Sequence, residues 1–417
     1  MFKGRKIKNS FLFYFALTPI LLYTTTNMAL PEHISIFEDS AYHIGPQGGD
    51  VAVIENSVEP LRDNIKIDVV SGTDVLPEQA GTYEAKYTVF GIPVKTVSLN
   101  VVPDKMLIPC GNISGIVVNT DGVLVIGTGK VKNEDGQEIS PSDGILKSGD
   151  TVTAINGNKI NSKEQFENAV ANSEGAVMTF TVLRDGKEQN EKVKPVMSEN
   201  NGGYKIGCWI RDDTQGLGTL TFIDPENNTF GALGHGIYDV DTNTLMNASE
   251  GIITSSKVTG VVKGQKGVPG EVSGTLDKSH VFGEILSNTN AGIYGRITDM
   301  SICPSADVQP VEIALSKDVH TGKAYVRSDI SGKTEDYEIE IESINRLDTS
   351  SDRSMTVRIT DEKLLNMAGG IIQGFSGSPI LQDGKLVGAL THVFVNNPQK
   401  GYGIFIDNML AQSKNIE

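Results

Sequence analysis

Cysteine is scarce, with three residues in a chain of 417. Cys110, Cys208 and Cys303 stand far apart, odd in number and without a C-x-x-C pair. That excludes a disulfide framework, offers no zinc-site spacing, and leaves them as core residues. Positive charge is short as well: 36 Lys and Arg face 52 Asp and Glu, a net charge of −16. A nucleic acid needs clustered cations to displace its counterions, so that class of partner is excluded. Apolar runs of membrane-spanning length are missing. The longest, Phe11 to Tyr23, contains Pro19 and falls short of the ~20 residues a spanning helix needs. No internal repeat or low-complexity tract appears. In the C-terminal half the helical signals reduce to Asp361–Ala368 and Asp407–Gln412.

What is present is glycine, 45 residues of it, among short alternating runs of Val, Ile and Thr, the pattern of a mainly β chain with many turns. The length exceeds what one core usually serves, so two or three domains are expected. Residues 1–30 pair a basic start, Lys3 to Lys8, with the apolar run. They read as a signal peptide or, if Thr24 to Leu30 is counted, a signal anchor with the body translocated. Residues 31–103 carry no catalytic signal. Gly81 to Val102 alternates around Phe90-Gly91-Ile92-Pro93, a hairpin in a small β-rich domain serving as spacer or docking surface.

Residues 104–200 look like a PDZ domain. Gly149 to Ile160 is a strand, an Asn156-Gly157 turn and a second short strand. A helix follows from Ser162 as N-cap, with Gln165 as capping-box partner, while Lys130 to Asp143 reads as a solvated loop. Such domains take a peptide as an added strand beside a carboxylate-binding loop. The corresponding loop is expected at Pro109 to Ile116, with Gly111 and Gly115 exposing backbone N–H groups and Ile116 opening the strand.

Residues 205–417 are nearly all strand and turn, as expected for two β-barrels with a cleft between them. Within them Gly374-Phe375-Ser376-Gly377-Ser378-Pro379 reads as a serine nucleophile in a tight turn. A serine hydroxyl attacks an acyl carbon only if it projects from the turn and nearby N–H groups hold the oxyanion. Gly374 and Ser376 are the expected donors, and Ser378 reads as turn structure. The bland reading is a Gly/Ser turn between strands.

Of the six histidines, His235 ends an apolar strand between glycines, where a general base belongs. His392 follows the nucleophile strand and is placed to line the cleft. His33, His43, His280 and His320 lack such framing. Histidine before serine is the chymotrypsin order and not the α/β-hydrolase one. An orienting acid is open among Asp239, Asp241, Asp277, Asp299, Asp307, Asp318 and Asp361.

The phrases Gly231-Ala-Leu-Gly-His235, Thr360-Asp361-Glu-Lys-Leu-Leu365, Gly369 to Pro379 and Thr391 to Gly403 together resemble the sporulation stage IV protein B peptidases of endospore-forming Firmicutes, which are chymotrypsin-like serine peptidases with a PDZ domain. The resemblance implies His235 as base, Ser376 as nucleophile and Asp361 as third member, with Asp241 and Asp299 in reserve. It implies a signalling protease made in the forespore, translocated toward the mother-cell membrane and first held by an anchor. There it would cleave itself near its N-terminal region. It would also cut a membrane-bound regulator of an intramembrane protease that matures a late sigma factor. The chemistry calls for no metal or organic cofactor. A non-catalytic PDZ scaffold and a general extracytoplasmic quality-control protease are the alternatives.

Overall fold

The computed structural model describes residues 32–413 apart from 45–49, 56–66, 72–73, 78, 90–91, 200–201, 247, 304–308 and 347–351, with parts of 21–30. The expected leader lies largely outside the described residues, as do the Phe90-Gly91 turn and Asp307. Among the described residues no helix is long and apolar enough to cross a membrane.

The N-terminal unit is β-rich, as its alternation requires. His33–Phe37, Ile92–Val102, Gly81–Val89 and Asp50–Glu55 form one sheet in that order. Every second residue of the long hairpin, Tyr83, Ala85 and Tyr87 on one strand and Val97 and Leu99 on the other, enters a common core, the two-residue period of a half-buried strand.

Two barrels follow. In the first, Ile113–Thr128, Ala248–Val262, Glu271–Thr289, Gly292–Ile297, Thr229–Ala232 and Cys208–Asp224 pair in sequence, and the last pairs back onto the first. Ile116, Val118, Leu220, Ile223, Phe230 and Ile253 fill it. The second is a closed barrel of Gly322–Ser328, Glu335–Ile344, Met355–Ile359, Lys400–Phe405, Lys385–Val393 and Pro379–Gln382, packed with Val326, Tyr337, Ile339, Val357 and Phe375. The C-terminal helix Ile406–Ser413 buries Ile406, Met409 and Leu410 in a cluster with Val102, Leu107 and Leu386, tying the N-terminal unit to the barrels.

The PDZ unit is not a separate block, because strands from either side of the boundary expected near 200–205 pair with each other. Ile113–Thr128 and Cys208–Asp224 pair along nearly their whole length. Their Ile113–Thr120 and Asp213–Thr219 parts belong to the first barrel, and their far ends belong to the PDZ unit. Both strands change direction at one level, at the register shift between Arg211 and Asp213 and at Gly122, whose φ is +109°. Beyond it Thr151–Ile155, Met178–Arg184 and Lys187–Val193 extend the sheet. Helix Lys163–Ala171 closes the core with Phe166 and Val170 against Val123, Val125, Phe180 and Val182. Ser162 caps this helix as expected, accepting from the Gln165 N–H at 3.2 Å. Gln165 itself reaches past the cap to the N–H of Asn161, 2.8 Å away.

The expected carboxylate loop is therefore corrected. Gly111 N–H donates to the Leu220 carbonyl at 2.9 Å. Gly115 is paired with Leu217 on one side and Thr254 on the other. A segment whose backbone groups are spent on barrel neighbours has none left for a peptide, and Ile116 lies in the cleft between the barrels. The groove beside the PDZ helix is lined instead by Phe166, Val170 and the Gly203–Ile210 segment.

Candidate active site

Ser376 sits in the turn between helix Glu362–Ala368 and strand Pro379–Gln382. Phe375 points into the second barrel, fully buried, which turns its neighbour Ser376 outward toward the cleft. Gly374 and Gly377 have φ of +103° and +95°, a region that L side chains enter only with strain. At Gly377 a Cβ would also collide with the carbonyl of Thr219 and the backbone of Leu233 from the first barrel. Phe375 N–H donates to the Ile372 carbonyl at 3.1 Å and Gly377 N–H to that of Leu390 at 2.8 Å. The N–H groups of Gly374 and Ser376 have no acceptor among the described residues.

Thr219, which no local motif singles out, joins the two barrels at this turn. Its N–H donates to the Ser376 carbonyl at 2.9 Å and its Oγ1 to the Gly374 carbonyl at 2.7 Å, while its own carbonyl accepts from Leu233 N–H at 3.2 Å. Leu233, a non-glycine at φ +70°, and Gly234, at +70°, bend the chain sharply before His235. A left-handed leucine costs of order 1–3 kcal/mol and persists only where the surroundings over-determine it.

His235 and Ser376 line one cleft of about 480 Å³ with Ile116, Leu217, Leu233, Tyr238, Gly374 and His392. His235 Nδ1 donates to the Gly236 carbonyl at 2.8 Å, which leaves Nε2 as the basic nitrogen. Burial lowers its pKa from the ordinary 6.5, opposed by the Gly236 bond. His392 lies where the sequence placed it, on the cleft wall, its ring stacked on His235 with centroids 4.7 Å apart and planes 22° from parallel. Ser376 Oγ donates to the Thr391 carbonyl at 2.7 Å.

Asp361 is not brought to His235. It caps helix Glu362–Ala368, accepting from Leu364 N–H at 2.9 Å and, at 3.4 Å, from Glu338 N–H. The reserves stand elsewhere too: Asp241 pairs with Arg211 at 2.9 Å, and Asp299 caps a short turn, accepting from Ser301 N–H at 2.8 Å. The carboxylate beside the histidines is Asp352, whose Oδ2 accepts from His392 Nε2 at 2.6 Å. Sequence reasoning missed it because Asp352 sits in a polar turn with no framing to separate it from surface acids. Of the other four histidines, three pair at the surface, His43 with Asp74, His280 with Asp299 and His320 with Asp383, and His33 opens strand His33–Phe37. Two of the dispersed cysteines meet: Cys303 Sγ lies 3.6 Å from the fully buried Cys110 Sγ, both as free thiols.

A PDZ domain model matches residues 115–194. Among solved structures, the chain is similar to the PDZ domain of an SdrC-like protein from Listeria monocytogenes, at 24% identity over 22% of this chain and 87% of that one, TM-score 0.18. It is similar to the inactive form of the Rv3671c protease, at 13% identity over 48% and 83%, TM-score 0.28. It is also similar to the HtrA-type protease AlgW with a decapeptide, at 12% identity over 52% and 55%, TM-score 0.29. The SpoIVB peptidase S55 model matches residues 202–410, half of the chain. From the first barrel's closing strands to the C-terminal helix, the chain belongs to the SpoIVB peptidase S55 family and is a serine endopeptidase.

Proposed function

We propose that Ser376 is the nucleophile and His235 the general base of this peptidase, and that it acts as a sporulation signalling protease. The observation that carries the assignment is the convergence of both side chains from separate barrels on one cleft. The serine hydroxyl, held at rest by the Thr391 carbonyl, swings between staggered rotamers to Nε2 of His235. It then gives up its proton as Oγ attacks the scissile carbonyl. The N–H groups of Gly374 and Ser376 receive the oxyanion, and the imidazolium afterwards protonates the leaving amine.

The substrates in this reading are the chain itself, cut near its N-terminal region, and a membrane-bound regulator of an intramembrane protease. The site of action is the space between forespore and mother cell, reached by way of the N-terminal leader. Family membership supports the signalling role over a general quality-control role, and the formed cleft supports an enzyme over a scaffold.

The test is incubation of purified full-length protein. Wild type is expected to fragment itself, and Ser376→Ala to stay intact with an unchanged thermal unfolding curve, since no neighbouring group replaces the serine oxygen. Fragmentation of the alanine variant would overturn the nucleophile. The signalling role is tested separately in the native host. A chromosomal Ser376→Ala allele is expected to block late sigma-factor maturation, and normal sporulation would end that reading while leaving the chemistry standing.

A further inference from the structure

Among the described residues no carboxylate bonds His235 Nδ1. The Gly236 carbonyl at 2.8 Å holds the ring's tautomer, but a carbonyl dipole supplies less than the full negative charge an aspartate brings to an imidazolium. That charge stands one side chain away. Asp352 Oδ2 accepts from His392 Nε2 at 2.6 Å, and the His392 ring lies against His235, 4.7 Å between centroids. The same turn reaches the nucleophile. The Asp352 carbonyl accepts from Thr391 Oγ1 at 2.6 Å, and the Thr391 carbonyl holds Ser376 Oγ at 2.7 Å. One residue is thus wired to both arms of the site.

We propose that Asp352, acting through His392, is the positioning carboxylate of this peptidase. His392 is the plate that fixes the plane of the His235 ring, and Asp352 supplies the charge that steadies the imidazolium when His235 takes the serine proton. The inference rests on the assignment of His235 as base. Burial disfavours charging His235; Asp352 acts against that, and His392 acts with it. Asp352 is itself held below the usual carboxylate range: burial opposes this, but the bond and charge of His392, then Arg353 and His235, outweigh it. His392 from strand Lys385–Val393 stacks on His235 and Tyr238 on its own segment lines the same cleft, with Asp352 bonded to His392 and Arg353 3.6 Å from Asp352. The nucleophile turn and the Ile116 and Leu217 wall present no charged side chain to the cleft.

The sign follows. A negative charge near an imidazole raises its proton affinity, so removing it lowers the midpoint at which His235 titrates. The experiment uses the full chain carrying Ser376→Ala with isotope-labelled histidine, titrated by NMR, with and without Asp352→Asn. The expected result is a fall of about half a unit or more in the His235 midpoint. His392→Phe, which keeps a ring for stacking but removes the group that acts with burial against charging His235, is expected not to lower the midpoint. In the active chain, Asp352→Asn is expected to lower kcat about tenfold or more with KM within about twofold, and to move the acid limb of the pH profile down. An unmoved midpoint, or a kcat within about twofold of wild type, would overturn the proposal. A moved midpoint in a chain whose wild type cleaves nothing supports the pairing and removes His235 from the role of base.

Discussion

At the residue scale, the same side chain type serves two unlike purposes within a few positions of sequence. Asp352 turns its carboxylate to a histidine in the cleft, and Asp361 turns its own to a helix N-terminus. A cap carboxylate satisfies N–H groups that have no intrahelical partner, and replacing it with alanine costs about 1 kcal/mol. Asp361→Ala is accordingly expected to lower unfolding stability by about that amount and to leave kcat/KM within about tenfold of wild type, read by urea unfolding and peptide hydrolysis. A loss near 10⁴-fold at matched folding would return Asp361 to the orienting role that the resemblance implied. That Ser376 and His235 deserve notice is legible in the sequence, because both stand in glycine-framed turns that a candidate nucleophile and base need. The proposed positioning acid has no such frame. A carboxylate needs no special backbone to work, so the order of residues around Asp352 carries no mark of what it faces.

At the element scale, the nucleophile turn is defined by how closely the two barrels approach. Gly384, in the exposed hairpin after it, has φ +80° and open space where a Cβ would stand. Gly377 has φ +95° and backbone of the other barrel in that place. Both alanine variants carry the left-handed penalty of about 1–2 kcal/mol. Only Gly377→Ala must also push Thr219 and Leu233 aside, which disturbs the carbonyl holding that positions Ser376. Gly377→Ala is expected to cost about 3 kcal/mol or more and to abolish cleavage, with Gly384→Ala costing about 1 kcal/mol and retaining activity. Equal losses in chemical denaturation would show that conformation alone, and not the approach of Thr219, sets the requirement. The glycines themselves could be read from sequence. Thr219 could not, because its partners Gly374 and Ser376 are remote in the chain and a threonine in an alternating strand looks like any other.

At the scale of the whole molecule, the PDZ unit is built into the first barrel through two continuous strands, Ile113–Thr128 and Cys208–Asp224. The sequence pattern reads Pro109 to Ile116 as a loop and is silent on its neighbours, since pairing with 208–219 leaves no local signature; hence the misplaced peptide loop. The shared strands have an energetic consequence. A unit joined by a flexible linker unfolds by itself, whereas one that shares strand backbone with its neighbour loses those ladder bonds only with it. Phe180 is fully buried in the PDZ core and touches neither barrel cluster. Its truncation, Phe180→Ala, costs about 3–5 kcal/mol where it occurs. If the strands transmit it, calorimetry of the full chain is expected to show the transition of the first barrel moving down together with that of the PDZ unit. Self-cleavage should then be lost at a lower temperature than in wild type. A PDZ transition that shifts alone, with the barrel transition and the temperature profile of cleavage unmoved, would mean that the bend at Gly122 and Arg211 uncouples the two units despite the unbroken strands.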